Sequence, residues 1–284
     1  MANNFGVDRE HLAKVFVPAL DEVYKASALT AVLDGAQELA REGANANELI
    51  IPMLDMDGLA NYDRNEGYVN GAITMTSATY KCNYDRGRMF SVDTLDNQES
   101  FDIAFGRLAG EFIRSKVVPE LDAWRLSTYA AKEGVGAATG ELTTAANLIT
   151  ALRKGLQAMD NAEVPYEERV LFISTALHDL IEDQDLTKSA KVLNGFAQIV
   201  KVPQNRFKEG VVLGENGFTA GGANINFLIV HKPAVIQYQK HVSPKIVEPE
   251  QNQTADAWKY GYRTVGIADV YANKVAGIYK HTAG

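Results

Sequence analysis

Apolar side chains recur at helical spacing in two separate parts of the chain. Between residues 8 and 40 they return every three or four positions, which predicts helix broken near Pro18. A second helix is predicted from residue 97 to about Ala131, with Asp96 as its N-cap and Glu99 at the third helical position. Pro119 should kink or divide this second helix. At about 35 residues and 1.5 Å per residue it would span roughly 50 Å, the spine of a flat domain.

Between the two helical regions the pattern changes to that of β-structure. ELIIPML and GAITMTSATYKC are strand candidates, and the residues between them are rich in Gly, Asn and Asp. This predicts a two-stranded ribbon with a polar tip near residues 60–71. Arms of about 12 to 18 residues would project roughly 40 to 60 Å. Because an isolated ribbon is marginal in water, we expect it to lie on a surface that this chain does not itself supply.

The second half of the chain alternates between helical and strand patterns. GVGAATGE, residues 134–141, is predicted to be a flexible joint and a domain boundary. Beyond it an α/β subdomain is expected. Its predicted helices are residues 143–159, 175–183 and 233–240, and its predicted strands are residues 169–174, 199–203 and 224–230. The tail returns to strand, with Trp258, Tyr260 and Tyr262 on one face.

The charge of the chain limits its partners. The formal net charge is −8 and the sequence pI about 5.2, which argues against a protein whose main task is to grip nucleic-acid phosphates. A container that merely surrounds nucleic acid stays open. The single cysteine, Cys82, excludes an internal disulfide framework and suits a reducing compartment. With no secretory signal and no apolar run of about 18 residues, the protein is expected to be soluble and cytosolic, without a membrane partner.

No motif in the sequence predicts catalysis, a metal or a cofactor. GxSxG, GxxxxGK[ST] and HExxH are absent, and the five histidines have no metal-ligand spacing. Residues 55, 57, 63 and 66 are acids at calcium-loop positions, but Leu59 and Ala60 occupy the fifth and sixth places, where the loop needs a ligand and a glycine. A polar loop tip is the simpler interpretation. TAGGAN, residues 219–224, is predicted to be a turn, because a strand rather than a helix follows it.

Two function classes remain open on the residues alone. An α/β enzyme using residues 140–240 would need an acid/base pair in a pocket, which no motif supplies. A monomeric ligand-binding module would leave the long ribbon and the spine helix unexplained.

The order of the elements is more specific than any single motif. Helical arm, ribbon, strand, capped spine helix, Gly-rich joint, α/β region and returning strands follow one another. This order resembles that of tailed-bacteriophage major capsid proteins of the Hong Kong 97 type. The resemblance covers nearly the whole chain and is carried by NYDRNEGYVNGAIT (61–74), DRGRMFSVDTLDNQES (85–100), FLIVHKPAVIQYQKH (227–241) and DAWKYGYRTVGIADVYANKVAGIY (256–279).

The resemblance implies an α+β capsid fold in four parts. Residues 1–47 would be an N-terminal helical arm, and residues 48–93 an extended β-hairpin loop lying across the adjacent subunit. Residues 94–135 and 242–284 would form a peripheral domain containing the spine helix. Residues 136–241 would form an axial α/β domain around the centres of hexamers and pentamers.

The same resemblance implies a structural function without an enzyme activity or a cofactor. The chain would assemble with itself into an icosahedral shell around double-stranded DNA, without sequence-specific binding, in the host cytoplasm, and would reside in the virion capsid. A portal is an expected partner during assembly. A separate scaffolding protein is also expected, because the long acidic scaffolding segment of many relatives is not seen before the arm. An encapsulin-like nanocompartment shell is the nearest alternative.

Four charged residues are candidates for contacts between subunits: Arg64, Glu66, Arg86 and Arg88. Arg86 and Arg88 lie where the ribbon rejoins the body, so we expect them to pair with carboxylates of the same or a neighbouring subunit. Arg64, near the tip, is the stronger candidate for a contact with another copy.

Overall fold

The architecture is mixed helix and sheet. The structure, a computed structural model, describes residues 28–34, 41–42, 48–62, 64–65, 67–95, 108, 110–182 and 192–284. Three α-helices have both ends described: α1 (Val118–Ala131), α2 (Ala145–Asn161) and α3 (Thr175–Glu182). None of the described helices combines the length and the hydropathy needed to cross a membrane.

Twelve strands of the described residues form three sheets. The strands are β1 (Arg41–Glu42), β2 (Glu48–Met56), β3 (Ile73–Lys81), β4 (Tyr84–Asp93), β5 (Gly136–Thr139), β6 (Arg169–Ser174), β7 (Gln198–Val202), β8 (Lys208–Gly214), β9 (Gly217–His231), β10 (Val235–Val247), β11 (Ala257–Val270) and β12 (Ile278–Thr282). The sheet orders are β1-β2-β3, β10-β11-β4 and β5-β12-β9-β6-β7, with β8 added to the first half of β9.

The largest sheet is the central layer of the α/β region. β6 is buried at every position, so its side chains alternate between two cores. Val170 and Phe172 face the core that contains Leu126 and Tyr129 of α1. Leu171 and Ile173 face the core beneath α2 and α3. The predicted strands at 169–174 and 199–203 and the predicted helices at 143–159 and 175–183 are confirmed to within a few residues. The strand predicted at 224–230 is confirmed as the second half of β9, which begins seven residues earlier, at Gly217.

Three predictions in this region are wrong. Residues 233–240 are not helical: a 3-10 turn at Lys232–Ala234 leads into β10, which pairs with β11 along its length. TAGGAN lies inside β9, where Gly222 adopts φ +76° at a register shift, and the hairpin turn instead falls at Glu215 and Asn216. The expected flexible joint contains β5, which pairs in parallel with β12. In each case pairing with another strand decides the local conformation, and the pattern within the segment itself does not contain that information.

The spine helix lies between the second sheet and the largest sheet. Its continuously described part begins at Gly110, after the single described helical residue Leu108, and a π-helical turn at Ile113–Val117 leads directly into α1. Pro119 lies in the first turn of α1, directly after this π-helical turn, where the i→i−4 hydrogen-bond ladder is already interrupted and the missing N–H is therefore tolerated. The predicted irregularity at Pro119 is therefore a change of helix type just before the proline. Residues 97–107 and the proposed capping residues Asp96 and Glu99 lie outside the described residues.

The predicted ribbon is the antiparallel pair β2–β3. The two strands match residue for residue, from Glu48 opposite Lys81 to Met56 opposite Ile73. Each arm has nine residues, fewer than the 12 to 18 expected, so its reach is about 30 Å. The difference arises because residues 57–72 form a broad tip and β4 pairs with β11 instead of extending the ribbon. The domain limits given above remain a prediction.

The base of the ribbon is attached to the second sheet. Tyr80 packs with Ile236 and Ile267 in a small core. The side-chain amide of Asn83 donates to the Ala268 carbonyl at 2.9 Å and accepts from the Ala268 N–H at 3.2 Å. This pair of hydrogen bonds fixes where the ribbon leaves the body. Of the predicted N-terminal arm, residues 28–34 and 41–42 are described. The first segment contains a 3-10 helix at Leu29–Leu33, and the second is not helical but forms β1, which pairs with β2.

Candidate assembly surface

The end of the ribbon exposes many large apolar side chains within one short segment. Between residues 56 and 75 seven of them are exposed, with relative accessibilities from 59% to 107%: Met56, Leu59, Tyr62, Tyr68, Val69, Ile73 and Met75. We call residues 56–75 the distal hairpin. Single exposed apolar residues are ordinary, but seven within twenty residues are typical of an interaction surface.

The tip of the distal hairpin is ordered by its own contacts. The Asp57 N–H donates to the Ala72 carbonyl at 3.2 Å, and the Asp57 carboxylate accepts from the Ala72 N–H at 2.7 Å. The rings of Tyr62 and Tyr68 meet edge to face at 4.9 Å between centroids. Asp57 therefore closes the loop, which accounts for this acid without a calcium ion. Asp63 and Glu66 lie outside the described residues, and Arg64 is exposed in the turn.

Arg86 is the central residue of a buried junction. Its Nε donates to Glu120 Oε1 at 2.8 Å and its Nη2 to Glu120 Oε2 at 3.2 Å. Its Nη2 also donates to the carbonyls of Gly214 at 2.7 Å and Gly217 at 3.4 Å. The guanidinium thus joins β4, α1 and the β8–β9 turn. The carboxylate predicted for Arg86 lies in the same chain, and the hydrogen bond to it raises the pKa of Arg86.

Tyr84 completes this junction. Its hydroxyl donates to Glu120 Oε1 at 3.1 Å. Burial, followed by the charge of Glu120, raises the pKa of Tyr84, so the phenol stays protonated. The Glu120 carboxylate, the Arg86 guanidinium and the Tyr84 phenol therefore satisfy one another and hold β4, α1 and the β8–β9 turn together.

Arg88 contacts the same turn without a carboxylate. It donates to the Glu215 carbonyl and, at 3.5 Å, to the side-chain oxygen of Asn216. These are exposed, neutral acceptors, so the predicted pairing with a carboxylate is not observed for Arg88 within the described residues.

Arg86→Met is expected to destabilise the subunit by about 2–3 kcal/mol, because it leaves the Glu120 carboxylate, 10% exposed, without its cation. Adding Glu120→Gln should restore part of that loss, since the unpaired charge is then removed. Arg88→Met is the matched control and should cost less than about 1 kcal/mol. Denaturant unfolding of the four proteins measures these differences. Equal losses for Arg86→Met and Arg88→Met would contradict the assignment.

A groove of about 860 Å³ lies beside this junction. Its apolar lining includes Phe90, Phe112 and Tyr262, and the β8–β9 turn forms one rim. Phe112 contacts both Phe90 and Tyr262 edge to face. The groove is an extension of the core between the second sheet and the spine helix.

Asp122 anchors residues 28–34 to the spine helix. Its Oδ2 accepts from the Leu29 N–H at 3.0 Å, and its Oδ1 accepts from the Thr30 N–H at 3.0 Å and from the Thr30 hydroxyl at 2.7 Å. Arg125 Nη1 donates to the Thr30 hydroxyl at 3.1 Å. Burial raises the pKa of Asp122, and the hydrogen bonds from Thr30 and Leu29 oppose that shift. Sequence reasoning missed Glu120 and Asp122, and the available signal was two acids among apolar residues in the first turns of α1.

A second set of hydrogen bonds ties the same segment to β10. The side-chain amide of Gln237 donates to the Thr30 carbonyl at 2.8 Å and to the Asp34 carboxylate. The Tyr129 hydroxyl donates to Gln237 Oε1 at 2.9 Å. Residues 28–34 are therefore held between α1 and β10 by polar contacts, which makes this segment a second fixed point of the subunit.

The described histidines do not form a shared site. His178 lies near Asp179 and Glu182 at the end of α3, where Lys201 approaches Glu182 at 3.4 Å. His281 is elsewhere: its Nδ1 lies 3.1 Å from the side-chain nitrogen of Asn226, which also donates to the Gly140 carbonyl. Burial lowers the pKa of His231 and of His281.

His281 is expected to make the subunit less stable in mild acid. The unfolded chain takes up the proton near the ordinary pKa of about 6.5, whereas the folded chain takes it up only at lower pH. The free energy of unfolding should therefore fall as the pH drops below about 6.5. His281→Gln should flatten this dependence while His231 is retained. Denaturant unfolding between pH 7.5 and 5 tests it, and identical slopes for the two proteins would contradict it.

Comparison with solved structures gives the class of the fold. No family model matches the chain, and no curated protein matches it. The capsid structure of Cyanophage P-SCSP1u aligns at TM-score 0.57 and 12% identity, over 86% of this chain and 85% of that one. The mature capsid of bacteriophage PhiM1 aligns at TM-score 0.56 and 12% identity, over 84% of this chain and 82% of that one. The virus-like particle from Pyrococcus furiosus aligns at TM-score 0.57 and 10% identity, over 94% of this chain and 96% of that one.

The chain has the Hong Kong 97-type capsid fold. The structural neighbours are mostly tailed-phage capsids and cover most of the chain, which confirms the fold predicted from the order of the elements. At 10–12% identity this likeness establishes architecture, and function has to be argued from the surfaces of this chain.

Proposed function

We propose that this chain is the major capsid protein of a tailed phage. It assembles with itself as hexamers and pentamers into an icosahedral shell that encloses double-stranded DNA. Assembly takes place in the host cytoplasm with a separate scaffolding protein and a portal, and the mature protein resides in the virion. Its role is structural, without a catalytic or cofactor site.

The distal hairpin is the observation that carries this proposal. Its seven exposed apolar side chains project on a ribbon that, in the part of the chain that the structure describes, packs against the body at its base. Covering one such side chain contributes about 1.5–3 kcal/mol. A subunit that gains this energy only from a neighbouring copy is stabilised by assembly, as a shell requires.

The charge of the chain supports a container for DNA. At −8 per copy the protein makes little sequence-independent attraction to phosphates. A lining that binds DNA weakly leaves a packaged genome free to move during packaging and release.

An encapsulin-like shell is the second candidate. The virus-like particle from Pyrococcus furiosus aligns with this chain at the same TM-score, 0.57, as the capsid of Cyanophage P-SCSP1u. Such a shell would share the subunit contacts and differ in what it encloses.

Expression of the chain with and without candidate scaffolding proteins tests the proposal. Closed particles or capsomers are expected by size-exclusion chromatography and negative-stain microscopy. Nuclease-protected double-stranded DNA in particles from infected cells supports the phage capsid, whereas a co-purifying cargo enzyme supports the nanocompartment. A chain that stays monomeric at high concentration under all of these conditions contradicts both.

A further inference from the structure

The two long edges of the β2–β3 ribbon differ in their chemistry. No described strand pairs with the outer edge of β3, and its residues 73–77 are exposed. We propose that this edge receives an extended segment of a second copy of the chain, so that the ribbon becomes part of a sheet shared between subunits. The inference rests on the proposed function and adds main-chain pairing to it.

The register shows which backbone groups of β3 point outward. Asp57 donates to the carbonyl of Ala72 opposite it, so hydrogen-bonded and non-hydrogen-bonded pairs alternate from that point along the ribbon. Pro52, which has no N–H, lies opposite Ser77, and the two residues form a non-hydrogen-bonded pair. In such a pair the backbone N–H and C=O groups of each residue point away from the partner strand. The outward donors of β3 are therefore the backbone N–H groups of Ile73, Met75, Ser77 and Thr79. They occur at every second residue, which is the spacing that a further strand needs for pairing.

The outer edge of β2 is protected and that of β3 is not. At Pro52 the outward side of β2 offers no donor, which is a common way of preventing edge-to-edge pairing. β3 runs from Ile73 to Tyr80 without a charge, a proline or a glycine, and it is rich in β-branched residues. Natural proteins leave so long an edge unguarded where a strand binds to it.

Other described edge strands are each interrupted or charged. β10 contains Pro244 and a register shift, β4 presents Arg86 and Arg88, and β7 contains Lys201 within five residues. β5 has only four residues. Among these strands β3 alone has eight consecutive residues, Ile73–Tyr80, without a charge, a proline or a register shift, and its one charge, Lys81, lies at the end next to the body.

Neutrality also favours a second copy as the partner. Each chain carries a net charge of −8, so two copies repel one another at most approaches. An uncharged edge beside the exposed side chains of Ile73 and Met75 offers a place where identical chains can meet without opposing charges. Pairing there would add backbone hydrogen bonds to the apolar contact.

Hydrogen exchange at the outward amides tests the proposal. In the free subunit the amides of Ile73, Met75, Ser77 and Thr79 should exchange fast and the alternating inward amides slowly. In the assembled particle all should be protected, with exchange of the outward four slowed at least tenfold. Particles in which these four amides exchange as fast as in the free subunit would overturn the inference and leave the proposed function standing. Failure of the wild-type chain to assemble at all would overturn both.

Ser77→Pro isolates the main-chain contribution. It removes one outward N–H that the ribbon itself does not use, and Ser77→Ala is the matched control that keeps it. Ser77→Pro should reduce the yield of particles at least tenfold with the thermal unfolding of the subunit unchanged, and Ser77→Ala should assemble as the wild type does. Equal assembly of the two variants would overturn the inference. If Ser77→Pro proves misfolded, the exchange experiment on the wild type decides.

Discussion

A subunit in which residues 56–73 are replaced by Asn-Gly is expected to fold and to form no particles. The excised segment contains six of the seven exposed apolar side chains of the distal hairpin. Losing even two of them from an interface would cost about 3 kcal/mol or more, a factor of over 100 in each association constant. Because a closed shell repeats this contact at each subunit, the loss should abolish assembly. Size-exclusion chromatography and negative-stain microscopy measure the particles.

The boundaries of this excision follow from the register of the ribbon. Asp55 and Thr74 face each other at a hydrogen-bonded pair, the arrangement that a two-residue Asn-Gly turn closes. The packed base at Tyr80 is untouched, so thermal unfolding of the variant should match that of the wild type. Normal particles from a folded, excised chain would show that the distal hairpin has no part in assembly.

Arg64→Glu tests the tip by a smaller change. Arg64 is exposed in the turn, so reversing its charge should leave the subunit stable. If Arg64 meets a neighbouring copy, the particles should dissociate at lower denaturant concentration. Arg153→Glu, an exposed position on α2, is the matched control. Unchanged particle stability in Arg64→Glu would show that Arg64 does not contact a neighbouring subunit.

Strands and helices with complete local signals could be predicted from the sequence. RVLFIS is apolar throughout because β6 is buried between two cores. The ribbon was found because turn residues separate two β-rich stretches. Where the local pattern suits both a helix and a strand, pairing with another strand determines the conformation. Val235 and Ile236 suit either one, and hydrogen bonding to β11 makes them a strand.

The contacts of the charged residues could be predicted only in part. A carboxylate partner for Arg86 was expected, but its identity depends on α1 and β4 meeting in space, 34 residues apart in sequence. Arg88, two positions along the same strand, reaches a turn 127 residues away. Sequence spacing does not encode contacts between residues so far apart. The structure shows that the contacts of Arg86 and Arg88 lie within one chain.

Asp122→Ala is expected to release residues 28–34 from the spine helix and to destabilise the subunit by about 3 kcal/mol. The change leaves three donors without an acceptor: the N–H groups of Leu29 and Thr30 and the Thr30 hydroxyl. Each buried, unsatisfied donor costs about 1–3 kcal/mol. Detachment of the segment limits the total, because the freed groups can then bond to water. Denaturant unfolding measures the loss.

Asp122→Asn distinguishes the hydrogen bonds from the bulk of the side chain. Its amide oxygen can replace Oδ1 towards Thr30, but its NH₂ group then meets the Leu29 N–H, so two donors face each other. A loss of about 1–2 kcal/mol is expected, smaller than that of Asp122→Ala. Hydrogen exchange should show the Leu29 amide released in both variants and the Thr30 amide released in Asp122→Ala alone. If both amides stay protected in Asp122→Ala, the contacts of Gln237 hold the segment, and Asp122 is not its anchor.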